Sequence, residues 1–321
     1  MNRRTFVSFM MAGAMSLSVL PAAVSFSTQA TAAEQKTIAV VLKTLSSQYW
    51  KIVAAGAQAA AKKYDVNLIL LGPPTEDNVL QQINMVQDVL AQKPDALIFS
   101  PSQPATAINV LTKAKEKGMP VLLVDTGMPE GFDAYDSFIG TDNFAAGQAG
   151  GAALVKVLKP GDKVLLLDGA PGNPSMTQRC DGAKEVLEAA GMVIASRQPA
   201  YSDREKAYTT TQNVLQTTPD IAGVFAGNDE EALGALRALS QAGKNIPIIG
   251  VDANSDNLKA MLQGDLYGSI AQGNYDMGYL GVEKALDVLA GKTIEKRIDS
   301  GATLVTKDNA QKVLDFRASI K

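Results

Sequence analysis

Two aspartates stand directly after runs of the same form, Pro120-Val-Leu-Leu-Val-Asp125 and Pro247-Ile-Ile-Gly-Val-Asp252. A carboxylate at the end of a buried strand can accept two hydroxyl hydrogen bonds, each worth ~1.5–3 kcal/mol as a bond to a charged group. The competing reading is an aspartate that caps the next helix or turn; the equivalence of the two positions counts against it. Near the start of the chain, Ser46-Ser47-Gln48-Tyr49-Trp50 follows an apolar run. Tyr49 and Trp50 could lay flat faces against the C–H side of a sugar ring while polar groups hold its rim, although burial of the single tryptophan in a core is the alternative. Pro171-Gly172-Asn173-Pro174-Ser175 with Arg179 reads as a loop entering a helix. Arg179 could offer a planar fork of donors to ligand oxygens, and an ordinary surface arginine would have the same spacing. Cys180 is most simply a small buried residue.

The elements that would position these groups come in two copies. Residues 37–44 match 162–169, residues 67–72 match 193–198, Pro94-Asp95 matches Pro219-Asp220, and the two Pro-to-Asp runs match each other, all at offsets of 125 to 127. Four pairs in one order at nearly one offset imply two similar lobes. Within the first, residues 40–43, 67–71, 96–99 and 121–124 read as strands, and 50–64, 78–92 and 106–117 as helices. Strands separated by such helices give right-handed crossovers and a parallel sheet in each lobe, an α/β fold whose ligands bind beyond the carboxyl ends of the strands. The first-lobe ends carry Lys43-Thr44, Ser100-Pro101-Ser102 and Asp125-Thr126; the second-lobe ends carry Asp168-Gly169, Asn228-Asp229 and Asp252.

Composition removes several functions. The 321 residues are 46% apolar and 20% charged with a formal charge of −3, so a basic face for nucleic acid is not expected. There is no histidine, and Cys180 is the single cysteine. That removes the commonest general base, the usual zinc ligands and any internal disulfide, and disfavours an enzyme without excluding one. Phosphate-loop, dinucleotide and nucleophile-elbow motifs are missing; neither cofactor nor metal is expected. Residues 1–32 carry Arg3-Arg4, an apolar run from Phe6 and Ala30-Thr31-Ala32, which reads as an export signal cleaved after Ala32. The paired arginines resemble a twin-arginine signal.

The stretch Phe225-Ala-Gly-Asn228-Asp229-Glu230-Glu231-Ala-Leu-Gly-Ala-Leu-Arg-Ala-Leu239 closely resembles the ribose- and allose-type periplasmic sugar-binding proteins, the solute receptors of ABC importers. The resemblance runs from Val41-Leu-Lys-Thr-Leu-Ser-Ser-Gln-Tyr-Trp50 through Gln198-Pro-Ala200 and Asp203-Arg204 to Ile270-Ala-Gln272. It implies two flavodoxin-like, doubly wound parallel-sheet lobes joined by a three-strand hinge, with the sugar in the cleft between them. Mapped here, residues 33–140 plus 273–300 form the N-terminal lobe and 141–272 plus 301–321 the C-terminal lobe. In that family Arg179, Asn228, Asp252 and Gln272 stand where sugar hydroxyls are bound, and Asp125 matches the first-lobe carboxylate.

Three departures bear on the ligand. Ribose-type members follow the first-lobe aspartate with arginine, where this chain has Thr126. Lys43 matches the allose-type pattern and could compensate. An aromatic wall residue of the family is replaced by Ser202, leaving Tyr201 as a substitute. The expectation from the resemblance is a periplasmic monomer that takes up a small neutral sugar or polyol by hinge closure and delivers it to an ABC permease and its ATPase at the inner membrane. Presentation of a ligand, such as a furanosyl signal, to a chemoreceptor or sensor kinase is a compatible role. A gene regulator of the repressor family would need a DNA-binding helix pair where the leader stands, and a sugar-modifying enzyme would need a base, for which Asp252 is the candidate.

Overall fold

The computed structural model describes residues 35–320; the export leader expected over residues 1–32 lies outside them. β1 (Thr37–Val41), α1 (Gln48–Tyr64), β2 (Asn67–Leu71), α2 (Val79–Ala91), β3 (Ala96–Phe99), α3 (Pro104–Glu116), β4 (Val121–Val124) and β5 (Ser137–Gly140) come first. The chain continues through α4 (Asn143–Val155), β6 (Lys163–Asp168), α5 (Pro174–Ala189), β7 (Val193–Pro199), α6 (Arg204–Thr217), β8 (Ile221–Ala226), α7 (Asp229–Gln241), β9 (Ile248–Val251), α8 (Ser255–Gln263) and β10 (Gly268–Gln272). It finishes with α9 (Asn274–Leu289), β11 (Arg297–Asp299), β12 (Ala302–Thr306) and α10 (Lys307–Ser319).

Two six-stranded sheets result, ordered β11-β5-β4-β3-β1-β2 and β12-β10-β9-β8-β6-β7. Every pairing is parallel except β10 with β12. Strands β3, β4 and β9 are apolar and fully buried along their length, as expected of parallel strands covered by helices on both faces. The repeat seen in the sequence is thus a repeat of position: β1, β2, β3 and β4 occupy the same places in the first sheet as β6, β7, β8 and β9 in the second. The recurring Pro-Asp turn has a job in each copy. Asp95 pairs with Lys36 at 3.0 Å and Asp220 with Lys163 at 2.8 Å, tying the turn before the third strand to the start of the first.

Several expected boundaries shift by one to three residues, two of them beside the cleft. β1 covers residues 37–41, so Lys43 lies in the loop beyond it rather than at its last position. α1 starts at Gln48 because the Ser47 hydroxyl caps it.

Three segments connect the sheets, between β5 and α4, between β10 and α9, and between β11 and β12. They run side by side: Ser300 N–H donates to the Gly140 carbonyl at 3.1 Å and Gly273 N–H to the Gly301 carbonyl at 3.1 Å. Gly273 has an ordinary φ of −76°, yet a Cβ there would sit 1.9 Å from the Ser300 carbonyl oxygen. Close approach of two backbones, not backbone freedom, requires glycine at this position. Gly273→Ala should lower the unfolding free energy by about 1–3 kcal/mol in urea titration, and an unchanged midpoint would show that the crossings have room.

Candidate ligand site

The carboxyl ends of the two sheets face one cleft of about 990 Å³. Its first-lobe lining includes Lys43, Tyr49, Trp50, Glu76, Asp125 and Thr126, and its second-lobe lining Asn173, Arg179, Asn228, Asp252 and Gln272. Charges balance around it: Lys43, Arg179 and Arg297 against Glu76, Asp125 and Asp252.

On the first-lobe wall, Asp125 sits just past β4 with φ of 64°. Left-handed backbone is costly for a residue with a side chain and recurs at binding sites where surrounding contacts enforce it. Its N–H donates to the Ile139 carbonyl at 2.9 Å. One carboxylate oxygen accepts from the Tyr49 hydroxyl at 2.6 Å and the other from the Thr126 hydroxyl at 2.7 Å, with the Lys43 ammonium 3.6 Å from the latter oxygen. Burial, reinforced by the Asp125 charge, raises the Tyr49 phenol well above its usual value, so it remains a donor. Trp50 is 2% exposed: its ring is part of the core and also borders the cleft. Its indole N–H donates to Glu76 at 2.5 Å, Tyr49 meets it edge-on at 5.1 Å, and Lys43 lies 5.5 Å from its ring centre.

The second-lobe wall is built around Asp252, beyond β9, with φ of 114°. Gln272 donates to its carboxylate at 2.5 Å, and Arg179 NH1 lies 3.9 Å from the same oxygen. Burial pushes this carboxyl up, while Arg179 and the Gln272 amide hold it down. Arg179 is buried and aimed: Nε donates to Asn143 at 2.8 Å and NH1 to the Gly227 carbonyl at 3.0 Å. α4 presses so tightly on α5 that a Cβ at Gly147 would lie 2.0 Å from the Arg179 carbonyl oxygen, which brings Asn143 onto the guanidinium. Asn173 and Asn228 line the cleft, and both spend a side-chain oxygen as helix caps, accepting from Met176 N–H and Glu231 N–H.

Several of the singled-out residues are not in the cleft lining. Ser47 caps α1. Ser100 is fully buried, with its carbonyl taken by Gln82. Ser202 is exposed, and its N–H donates to Glu231 at 2.8 Å. Tyr201 is exposed as well and lies under Lys206, away from the cleft lining. Asp168 is engaged by Arg197 at 2.6 Å. Cys180 is buried, its thiol donating to the Leu167 carbonyl at 3.3 Å. Sequence reasoning missed Glu76, Asn143 and Gln82. The last is a buried amide that bonds the Leu42 and Ser100 carbonyls and Ser102 N–H, locking two strand-end loops together; a glutamine among apolar helix positions was its only signal.

A family model of the periplasmic binding protein domain matches residues 38–293. The chain belongs to the periplasmic binding protein family. It is similar to the ribose import binding protein of Escherichia coli, 33% identical over 286 residues that cover 89% of this chain and 95% of that one. It is also similar to the D-ribose/D-allose-binding protein of Pseudomonas aeruginosa, 31% identical over 83% of this chain and 86% of that one. Among solved structures, a periplasmic solute binding protein from Actinobacillus succinogenes with bound D-allose superimposes with a TM-score of 0.79, at 28% identity over 87% of this chain and 100% of that one. A solute binding protein from Agrobacterium vitis with bound D-fucose gives 0.74, at 33% identity over 86% and 97%. Membership of the family implies a periplasmic location.

Beneath the cleft this periplasmic binding protein carries buried acids at the start of α7. Asp229 accepts from the Ser269 hydroxyl at 2.6 Å and from Asn254 N–H at 2.5 Å. Burial raises it, as does the nearby Asp252 charge. Glu231, fully buried, is pushed up to about 8 by burial, with the Ser202 N–H opposing. An acid raised in the folded state is protonated there while it is ionised in the unfolded chain, so stability falls as pH climbs from the ordinary carboxyl value of 4.5 to about 8. Glu231→Gln keeps an acceptor for Ser202 and should flatten that fall between pH 5 and 8, by up to on the order of 4 kcal/mol. Urea midpoints with the same pH slope in both proteins would contradict this.

Proposed function

We propose that the protein captures a small neutral monosaccharide or sugar alcohol between its lobes and delivers it to an ABC permease driven by an ATPase at the inner membrane. The observation that carries this reading is the pair Asp125 and Asp252, contributed by different sheets to one cleft of balanced charge. Each carboxylate already accepts hydrogen bonds from neighbouring side chains, so ligand hydroxyls would join or exchange with donors of the same kind. With three cations and three anions in the lining, no excess of either sign favours a charged ligand.

The lobes divide at the three crossings, as residues 33–140 plus 273–300 and residues 141–272 plus 301–321. At about 990 Å³ the cleft is at the top of the ~300–1,000 Å³ range of small-molecule sites. Enclosing a single sugar ring therefore calls for the lobes to approach about those crossings, and a ligand bridging them favours the approached form by its differential affinity. No chemistry on the ligand is involved. Asp252, the candidate base of an enzymatic reading, is clamped by Gln272 and flanked by Arg179, which suits an acceptor of hydroxyl hydrogen bonds. The protein works as a monomer, exported by a signal peptide, and its loaded form is also what a chemoreceptor or sensor kinase would read.

The relatives and structural neighbours named for D-ribose, D-allose and D-fucose support this ligand class. The first-lobe wall sets the choice among them: Thr126 spends its hydroxyl on Asp125, leaving the Lys43 ammonium as the cation next to that carboxylate. Calorimetry and Trp50 fluorescence with a panel of pentoses, hexoses and polyols should give at least one ligand with a ~micromolar or tighter Kd, about −8 kcal/mol. Asp125→Asn or Asp252→Asn should then weaken it roughly 10- to 100-fold. No heat, quenching or stabilisation across the panel would rule out the ligand class.

A further inference from the structure

We propose that Arg317, on the C-terminal helix α10, is a positioning residue for ligand binding that holds Asp252 with its carboxylate presented to the cleft. The proposal rests on the reading of Asp252 as a ligand-binding group. Arg317 is 65 residues from Asp252 in sequence, and its NH2 donates to the Asp252 main-chain carbonyl at 2.7 Å. Arg317 is 7% exposed, and a buried cation is retained at a cost unless its bonds do something.

What it braces is a backbone turn with few other ways to stand. Asp252 and Ala253 both have positive φ, 114° and 49°, a conformation that side-chain-bearing residues adopt only when surrounding contacts impose it. Three successive backbone N–H groups and the Asp252 carbonyl are claimed. Asp252 N–H goes to the Ile270 carbonyl at 2.8 Å, the Asp252 carbonyl to Arg317, Ala253 N–H to the Ser269 hydroxyl at 3.0 Å, and Asn254 N–H to Asp229 at 2.5 Å. Arg317 is the cation in this set. The charged and titratable groups that face Asp252 come from every element around it: Arg179 on α5, Asp229 at the start of α7, Arg317 on α10, and Asp125 and Tyr49 across the cleft. Arg317 therefore braces the turn through the Asp252 carbonyl and adds a positive charge to the field at the Asp252 carboxylate, where Arg179 is the larger contributor. The preceding residue, Phe316, packs edge-on against Tyr275 of α9 at 5.6 Å, which fixes the end of α10 where Arg317 can reach inward. The corresponding first-lobe turn at Asp125 receives no arginine on its carbonyl among the hydrogen bonds of the described residues.

The test uses the full mature protein carrying Arg317→Gln or Arg317→Lys, with D-allose as the probe. Carbon-13 NMR of aspartate carboxyls, with Asp252 assigned by its disappearance in Asp252→Asn, follows that group in sugar-free protein. Arg317→Gln should raise the Asp252 titration midpoint and weaken D-allose binding at least tenfold. Arg317→Lys, which keeps the charge but not the fork, should move both in the same direction by less, and it carries the test alone should the glutamine variant not fold. Val313→Ala, on the same helix, should lower thermal stability and leave both readouts in place. An unmoved Asp252 midpoint and an affinity within about threefold of wild type in a folded Arg317 variant would overturn the proposal. Were wild type to ignore D-allose, the tightest binder of the pentose, hexose and polyol panel takes its place; a moved Asp252 midpoint with no binder in the whole panel would leave the positioning standing and overturn the sugar reading.

Discussion

Keeping an acidic group poised at the end of a buried strand is the constraint on which this structure turns. Asp125 and Asp252 are each held past the last residue of a central parallel strand, each in left-handed backbone. Neither would remain there unaided, because the conformation costs of order 1–3 kcal/mol and desolvation opposes the charge. Each lobe therefore supplies a neighbouring β-strand carbonyl for the aspartate N–H, from Ile139 and from Ile270. Each also supplies side-chain donors for the carboxylate.

The two solutions are alike in backbone and different in side chains. The first lobe satisfies its carboxylate with a phenol, a threonine hydroxyl and a nearby ammonium. The second uses an amide and an arginine, and adds a foundation of Asp229, Ser269 and Arg317 beneath the turn. This asymmetry suits a clamp in which the second lobe is the prepared half and the first lobe, with Lys43, Glu76 and Thr126, sets the fit.

The sequence made the placement of these groups legible because core strands of a parallel sheet are continuous apolar runs, and a polar residue ending such a run marks a carboxyl edge. The repeat then identified equivalent edges, and the strand order followed it. Orientation was not legible. Ser47, Ser100 and Ser202 stand at loop positions as suitable as those of Asn173 or Asn228, yet the first caps a helix, the second turns inward and the third lends only its backbone. Nor does any local pattern announce partners such as Arg317 or Asn143, which arrive from distant elements through helix packing. Asp229 and Glu231 were in plain view within a recognisable stretch, but their role under the cleft depends on the turns at Asn254 and Ser202 folding back onto them.

The central claim is that one ligand engages both lobes and draws them together. Small-angle X-ray scattering of the protein with and without a sugar that calorimetry shows to be bound measures this directly. A smaller radius of gyration at saturation, reversed on removal of the sugar, is the predicted result; identical scattering from the free and saturated protein would contradict the account.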